Sequence, residues 1–280
     1  MAKQEPPFDE IGYWSEIKLE IIREYAAAYS TILTARDSPR FHHVYIDAFA
    51  GAGMHVSRTS GEFVPGSPLN ALHVQPPFKH YYFIDIEARK VQLLEDIAGQ
   101  RADVDVFHGD CNQVLLERVF PQVRYDRFER GLCLLDPYGL HLDWQVVTAA
   151  GQSRCIEVFL NFPVADMNRN VLWHHPERVP DEQVWRMTRY WGDETWRDVA
   201  YTTEAGLFGN IEEKAGMEVI VAAFRNRLRL VAQFRYVPQP IPMRNKQGAV
   251  VYYLYFASQN QTGAKIVKDI FDKYRDYGTK

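Results

Sequence analysis

Cysteine is scarce: three in 280 residues, at positions 111, 133 and 155, with no Cys-x-x-Cys pair among them. That count and spacing argue against a disulfide framework, and no metal site is expected. Cys133 lies inside an apolar stretch and Cys155 opens another, so both read as buried core thiols. No apolar run approaches the length of a transmembrane helix, and Met1-Ala2-Lys3-Gln4-Glu5-Pro6-Pro7 shows no signal-peptide core. The expectation is a cytoplasmic protein with no membrane partner. Internal repeats and low-complexity tracts are absent as well. The most local absence is of acid, since no Asp or Glu occurs between Glu218 and Asp269. That interval holds eight basic residues, Arg225, Arg227, Arg229, Arg235, Arg244, Lys246, Lys265 and Lys268.

What is present is an ordinary globular composition, 46% hydrophobic and 24% charged. The length suits one large core, and residues 1–280 are expected to form one domain with an N-terminal helix over 9–34 and a helical insertion over about 163–213. Charge is uneven. Residues 1–150 carry 14 Lys+Arg against 21 Asp+Glu, a balance of −7, and residues 151–280 carry 18 against 15, a balance of +3. An unopposed basic stretch in an acidic chain suggests an anionic partner, nucleic acid first, through Arg225, Arg229, Arg244 and Lys246. A solvated helix face plus a basic loop explains the same charges equally well. The pI of about 6.1 argues against strong unaided affinity for nucleic acid.

The chain is organised around Val44-Tyr45-Ile46-Asp47-Ala48-Phe49-Ala50-Gly51-Ala52-Gly53, a buried strand running into an acid and a glycine turn. Gly51 and Gly53 allow a backbone to pass close under a ligand. The third glycine of a dinucleotide fingerprint is missing, with Val56 in its place, which weakens a nicotinamide-dependent oxidoreductase reading. Downstream, strands are predicted at 81–84, 104–107, 132–135 and 156–160, with helices at 68–74 (capped by Ser67), 87–97, 113–120 and 143–150. Residues 57–62 read as a polar loop, a place where mobile loops often close over ligands, and further helices are predicted at 181–191, 193–205, 211–230 and 262–275. A strand at 249–257 pairs with an extended piece before Asn245-Lys246-Gln247-Gly248 in an antiparallel hairpin. The sum is an α/β protein: a mostly parallel seven-stranded sheet with one antiparallel strand and helices on both faces.

Ligands in such sheets bind beyond the carboxyl ends of the strands, and those ends carry Asp47, Asp85, Asp110, Asp136 and Asn161. A carboxylate at Asp85 can accept from both hydroxyls of a ribose, and Asp110 from an adenine amino group, with Ile86 and Cys111 flanking the ring. Either acid alone also serves as a helix N-cap. Asp136-Pro137-Tyr138-Gly139 is the candidate catalytic motif. The Asp136 carboxylate or Pro137 carbonyl can accept protons of an amine while Tyr138 stacks on a base, and the same four residues also make an ordinary tight turn.

These motifs carry resemblances. Asp-x-Phe-x-Gly-x-Gly at a strand end resembles the first motif of class I methyltransferases that use S-adenosylmethionine (SAM), which implies a Rossmann-like class I methyltransferase fold. Asp47, Phe49, Gly51, Gly53, Asp85, Ile86, Asp110 and Cys111 are then the residues expected to hold SAM. Asp136-Pro137-Tyr138-Gly139 is similar to the Asp-Pro-Pro-Tyr of amino-methyltransferases and to the Asp-Pro-Phe/Tyr-Gly of tRNA guanine-N2 methyltransferases. The whole set, 45–53, Gly66-Ser67-Pro68-Leu69, Phe83-Ile84-Asp85, Gly109-Asp110-Cys111-Asn112, 135–140, Asn161-Phe162-Pro163, 251–254 and 257–260, resembles the three-Cys-motif partner (TcmP) family over most of the chain. That resemblance implies an associated radical-SAM-type protein bearing the three-cysteine motif; this chain's own cysteines are not that motif. The resulting expectation is a methyltransferase acting on an exocyclic amine of a nucleic-acid base, RNA favoured, with Gly139, Asn161 and Phe162 lining the target pocket. The alternative is a non-catalytic scaffold for the same partner.

Overall fold

The computed structural model describes residues 8–206 and 209–275. Seven strands form the central sheet: β1 (His42–Asp47), β2 (His80–Asp85), β3 (Val104–His108), β4 (Glu129–Leu135), β5 (Ile156–Phe162), β6 (Ile241–Arg244) and β7 (Val250–Ala257). Their order across the sheet is β6-β7-β5-β4-β1-β2-β3. Strand β7 is antiparallel to both neighbours and every other pairing is parallel, as the sequence pattern predicts. The chain leaves β1 toward one side of the sheet and returns on the other through β4. That reversal opens a crevice between the ends of β1 and β4.

The inner strands are apolar almost without interruption because both sheet faces are covered. Alternation divides their side chains between two cores. Val44, Ile46, Tyr82 and Ile84 point to one, while Tyr45, Tyr81 and Phe83 point to the other. The second core is closed by α1 (Tyr13–Thr34), α2 (Ser67–Leu72), α3 (Ala88–Ala98) and α10 (Gln261–Arg275). The first is closed by α4 (Cys111–Val114), α5 (Trp144–Ser153), α6 (Val164–Asn170), α7 (Asp181–Trp191), α8 (Trp196–Ala200) and α9 (Met217–Leu230). Among the described residues no helix is long and apolar enough to cross a membrane.

Several predicted boundaries are corrected. Residues 9–11 are not helical: Asp9–Ile11 is a short strand, parallel to Met54–Ser57, and α1 starts after Gly12. The polar loop expected over 57–62 is the turn of a small hairpin, its flanking strands Met54–Ser57 and Phe63–Pro65 antiparallel and the Ser57 hydroxyl accepting from the Thr59 and Ser60 amides. Gly66, not Ser67, is the N-cap of α2. Helix α4 begins at Cys111, capped by Asp110, and runs into a π-turn at Leu115–Val119. The helix expected over 193–205 stops at Ala200. Tyr201-Thr202-Thr203 carries strand-favouring side chains, and Tyr201–Gly206 pairs with Gly209–Lys214, which delays α9 to Met217. Within the segment after β5, Trp191 and Trp196 are buried, whereas Trp173 and Trp185 are exposed.

Candidate active site

Strand β1 ends in Asp47, and the turn that follows places the Gly51 amide 2.8 Å from Oδ2 of Asp85 at the end of β2. The Glu87 amide holds the other oxygen at 2.8 Å. Asp85 is buried, so two backbone donors fix its carboxylate while leaving lone pairs for further hydroxyl donors. Gly51 and Gly53 adopt φ of +66° and +77°, conformations that disfavour other residues. At Gly53 the close approach is to helix α3, since an added Cβ falls 2.6 Å from Ile97 Cδ1. Asp110 caps α4 through the Asn112 amide at 2.9 Å. Asn112 in turn donates to the His141 carbonyl and accepts from the Asp143 amide, which ties the ends of β3 and β4 together. Ile86 is 69% exposed beside Asp85, whereas Cys111 is buried and burial pushes its thiol up to about 12.

A cleft of about 430 Å³ opens from the glycine turn toward the end of β4. It gathers Phe49, Gly51, Asp136, Pro137, Tyr138 and Gly139, with Asn161 at the end of β5. Asp136 pairs with Lys18 of α1 through Oδ2, and its Oδ1 joins no hydrogen bond among the described residues. Lys18 is 8% exposed. Burial opposes its charge, but the Asp136 carboxylate outweighs that and holds the ammonium above its ordinary range. Lys18 is a charged residue within α1. Its position four after Trp14 and three before Ile21 puts it on the buried stripe, and that placement was the available signal.

Tyr138 is 69% exposed, its hydroxyl 3.4 Å from Asp9 and its ring 5.8 Å from the Lys90 ammonium. Gly139 has φ +63°, and a Cβ there would fall 2.8 Å from Asp166, which pairs with Arg186 at 3.5 Å. Two buried oxygens, one of a carboxyl and one of an amide, stand out. Asp47 is wholly buried and burial pushes its carboxyl up to about 7, against the Ser67 hydroxyl and the Phe49 amide; its Oδ2 has no hydrogen-bond partner. Asn161 Oδ1 is likewise buried without a partner, although its backbone carbonyl accepts from Tyr190. His55, also missed from sequence, lines the cleft with Nδ1 unpartnered; burial and then Lys18 lower its pKa, so it is the neutral imidazole at pH 7.

Other expected site residues lie elsewhere. Phe162 does not line the cleft: it is wholly buried against Tyr190, Phe224 and Tyr255, with the Phe224 ring at 4.4 Å. Arg225 donates to the Val237 carbonyl at 2.7 Å, at the amino-terminal approach to β6 and away from the cleft. Arg229 follows it on the exposed face of α9. Arg244 bonds the Gly248 carbonyl within the β6–β7 hairpin, whose turn carries Lys246. Since Tyr253 faces Phe162 and Tyr252 lines the cleft, that hairpin stands on the cleft's side of the sheet.

Sheet order, the single reversed strand and the position of the cleft define the Rossmann-like class I methyltransferase fold. Among solved structures the chain is similar to protein LPL1258 from Legionella pneumophila, at 12% identity and a TM-score of 0.55, over 95% of this chain and 92% of that one. It is also similar to two candidate methyltransferases. One, from Thermobifida fusca, has 11% identity and a TM-score of 0.41 over 86% of this chain and 81% of that one. The other, a candidate SAM-dependent enzyme from Listeria monocytogenes, has 12% identity and a TM-score of 0.40 over 84% and 99%. No protein-family model matches the chain, and no curated protein matches it.

Proposed function

We propose that the chain is a SAM-dependent methyltransferase acting on an exocyclic amine of a nucleic-acid base, RNA first, beside a radical-SAM-type three-Cys-motif protein. The observation that carries the methyl-transfer reading is Asp136: a lysine-held carboxylate in a cleft that begins at the glycine turn. The base and the protein partner rest on the resemblance of the motif set.

The residues present fit SAM. Asp85 offers acceptors for ribose hydroxyls, Ile86 an apolar surface beside them, and the unpartnered Oδ2 of Asp47 an acceptor for an ammonium group. Bound SAM supplies an electrophilic methyl group on a sulfonium. The chain's own work is to orient the amine and manage its proton. An exocyclic amine shares its lone pair with the ring, so it attacks poorly. Asp136 Oδ1, or the Pro137 carbonyl, accepts an amine N–H and concentrates density on nitrogen. Lys18 occupies Oδ2 and leaves Oδ1 to the amine. The exposed Tyr138 ring gives the base a face to stack on. As nitrogen gains positive charge, its proton passes to Asp136. Asp136→Ala is expected to lower radiolabel transfer from SAM to RNA by about a hundredfold or more while SAM binding persists. Undiminished transfer by that variant contradicts the role given to Asp136; SAM binding without transfer by the wild type, partner present, favours the scaffold.

A further inference from the structure

A second and larger cleft, of about 740 Å³, lies at the opposite edge of the sheet, where β4 and β5 begin and β7 ends. Its lining includes Arg36, Phe41, Tyr125, Arg130, Arg154 and Arg235. Three of these guanidinium groups interleave with the two rings. Arg36 lies 5.9 Å and Arg130 4.7 Å from the Phe41 ring centre, and Arg130 lies 4.5 Å and Arg154 5.5 Å from that of Tyr125. None of the four arginines is ion-paired with a carboxylate among the described residues. The nearby acids are engaged elsewhere: Asp126 pairs with Arg124, Glu129 accepts from the Arg124 amide, and Glu157 is turned inward to the Tyr25 and Ser258 hydroxyls.

Four guanidinium groups converging on one cleft repel one another, and Glu157, the one acid lining it among the described residues, is bonded to the Tyr25 and Ser258 hydroxyls. Stacking on Phe41 and Tyr125 fixes the planes of three; Arg130 donates from Nη1 to the Glu129 carbonyl at 2.7 Å, and the remaining N–H edges are left for acceptors from outside. An alternation of flat cations and aromatic rings matches a chain that alternates phosphates with flat bases. We infer that this cleft is a binding site for single-stranded nucleic acid, with phosphates on the guanidinium edges and a base on the exposed Tyr125 ring, the buried Phe41 serving to hold the arginines. It is separate from the methyl-transfer cleft, and binding there is read without SAM, so either reading can fail alone.

The test is fluorescence anisotropy of the full chain with a labelled RNA of about 12 nucleotides at about 50 mM salt, repeated as salt rises. Arg154 and Arg235 are exposed, so Arg154→Gln/Arg235→Gln leaves the core intact. This pair is expected to weaken binding about tenfold and to flatten the logarithmic salt slope by about 1.4, two lost contacts on a single strand. Arg118→Gln/Arg178→Gln, matched in charge, exposed and outside the cleft, is expected to bind as the wild type does. Equal weakening by both pairs overturns the inference, as does no binding by the wild type. Displacement of the RNA by polyglutamate at equal charge also overturns it, in favour of an acidic protein segment.

Discussion

At the scale of single residues, the decisive contact is one no local pattern contains. Lys18 and Asp136 are 118 residues apart and meet where α1 passes the end of β4. Lys18→Met leaves Asp136 without its cation, and Asp136→Asn leaves a largely buried lysine without its anion. Each single change is expected to destabilise the fold, and a double-mutant cycle by urea unfolding should return a coupling of about 1–3 kcal/mol. Additive effects would mean that the pair contributes no mutual stabilisation. Glu157 offers a second residue-level test. Burial pushes its carboxyl from 4.5 up to about 7, against the Tyr25 and Ser258 hydroxyls. Between those values the folded chain holds a proton that the unfolded chain has released. Its stabilising contribution is therefore full below about pH 4.5 and is lost as pH rises through 7. Glu157→Gln should match the wild type near pH 4.5 and exceed it at pH 8, by on the order of 1–3 kcal/mol in urea unfolding. A less stable variant at pH 8 would show that the ionised carboxylate is the favoured form.

Among elements, strands were legible because burial on both faces writes itself as continuous apolar runs ending in acids. Asp47, Asp85, Asp110, Asp136 and Asn161 thus stood out from sequence, and four of the five strand ends so marked meet at or beside the crevice through Asp47, Asp85, Asp136 and Asn161. Boundaries between helix and strand were less legible where tertiary pairing decides them. Asp9–Ile11 is extended because Met54–Ser57 is there to pair with it, and residues 201–206 because 209–214 fold back on them. Phe162 was misplaced for a related reason: a strand's last residue points to either face, and here the Phe224 side takes it. Contacts between elements also set the demands on small residues. A Cβ on Gly151 of α5 would fall 1.9 Å from the Ala232 carbonyl oxygen. That obstacle is backbone, so Gly151→Ala should lower stability by about 2–4 kcal/mol, read as a lower denaturation midpoint. An unchanged midpoint would show that the connection after α9 yields freely.

Across the whole molecule, charge is arranged by edge. The carboxyl edge of the sheet carries Asp47, Asp85 and the Lys18–Asp136 pair; the amino edge carries the arginine-lined cleft. The basic run of the sequence pointed to an anionic partner, but its residues disperse. Arg225 is held by Val237, Arg244 by its own hairpin, and only Arg235 joins Arg36, Arg130 and Arg154, which come from three distant segments. A linear reading has no means of assembling that group. Binding of SAM is the central proposal, and calorimetric titration of the purified chain with SAM, beside Asp85→Ala, tests it most directly. Saturable 1:1 binding, weakened about tenfold or more by the loss of a carboxylate that accepts from the ribose, is the predicted result. No binding by the well-folded wild-type chain, or equal binding by Asp85→Ala, would contradict it.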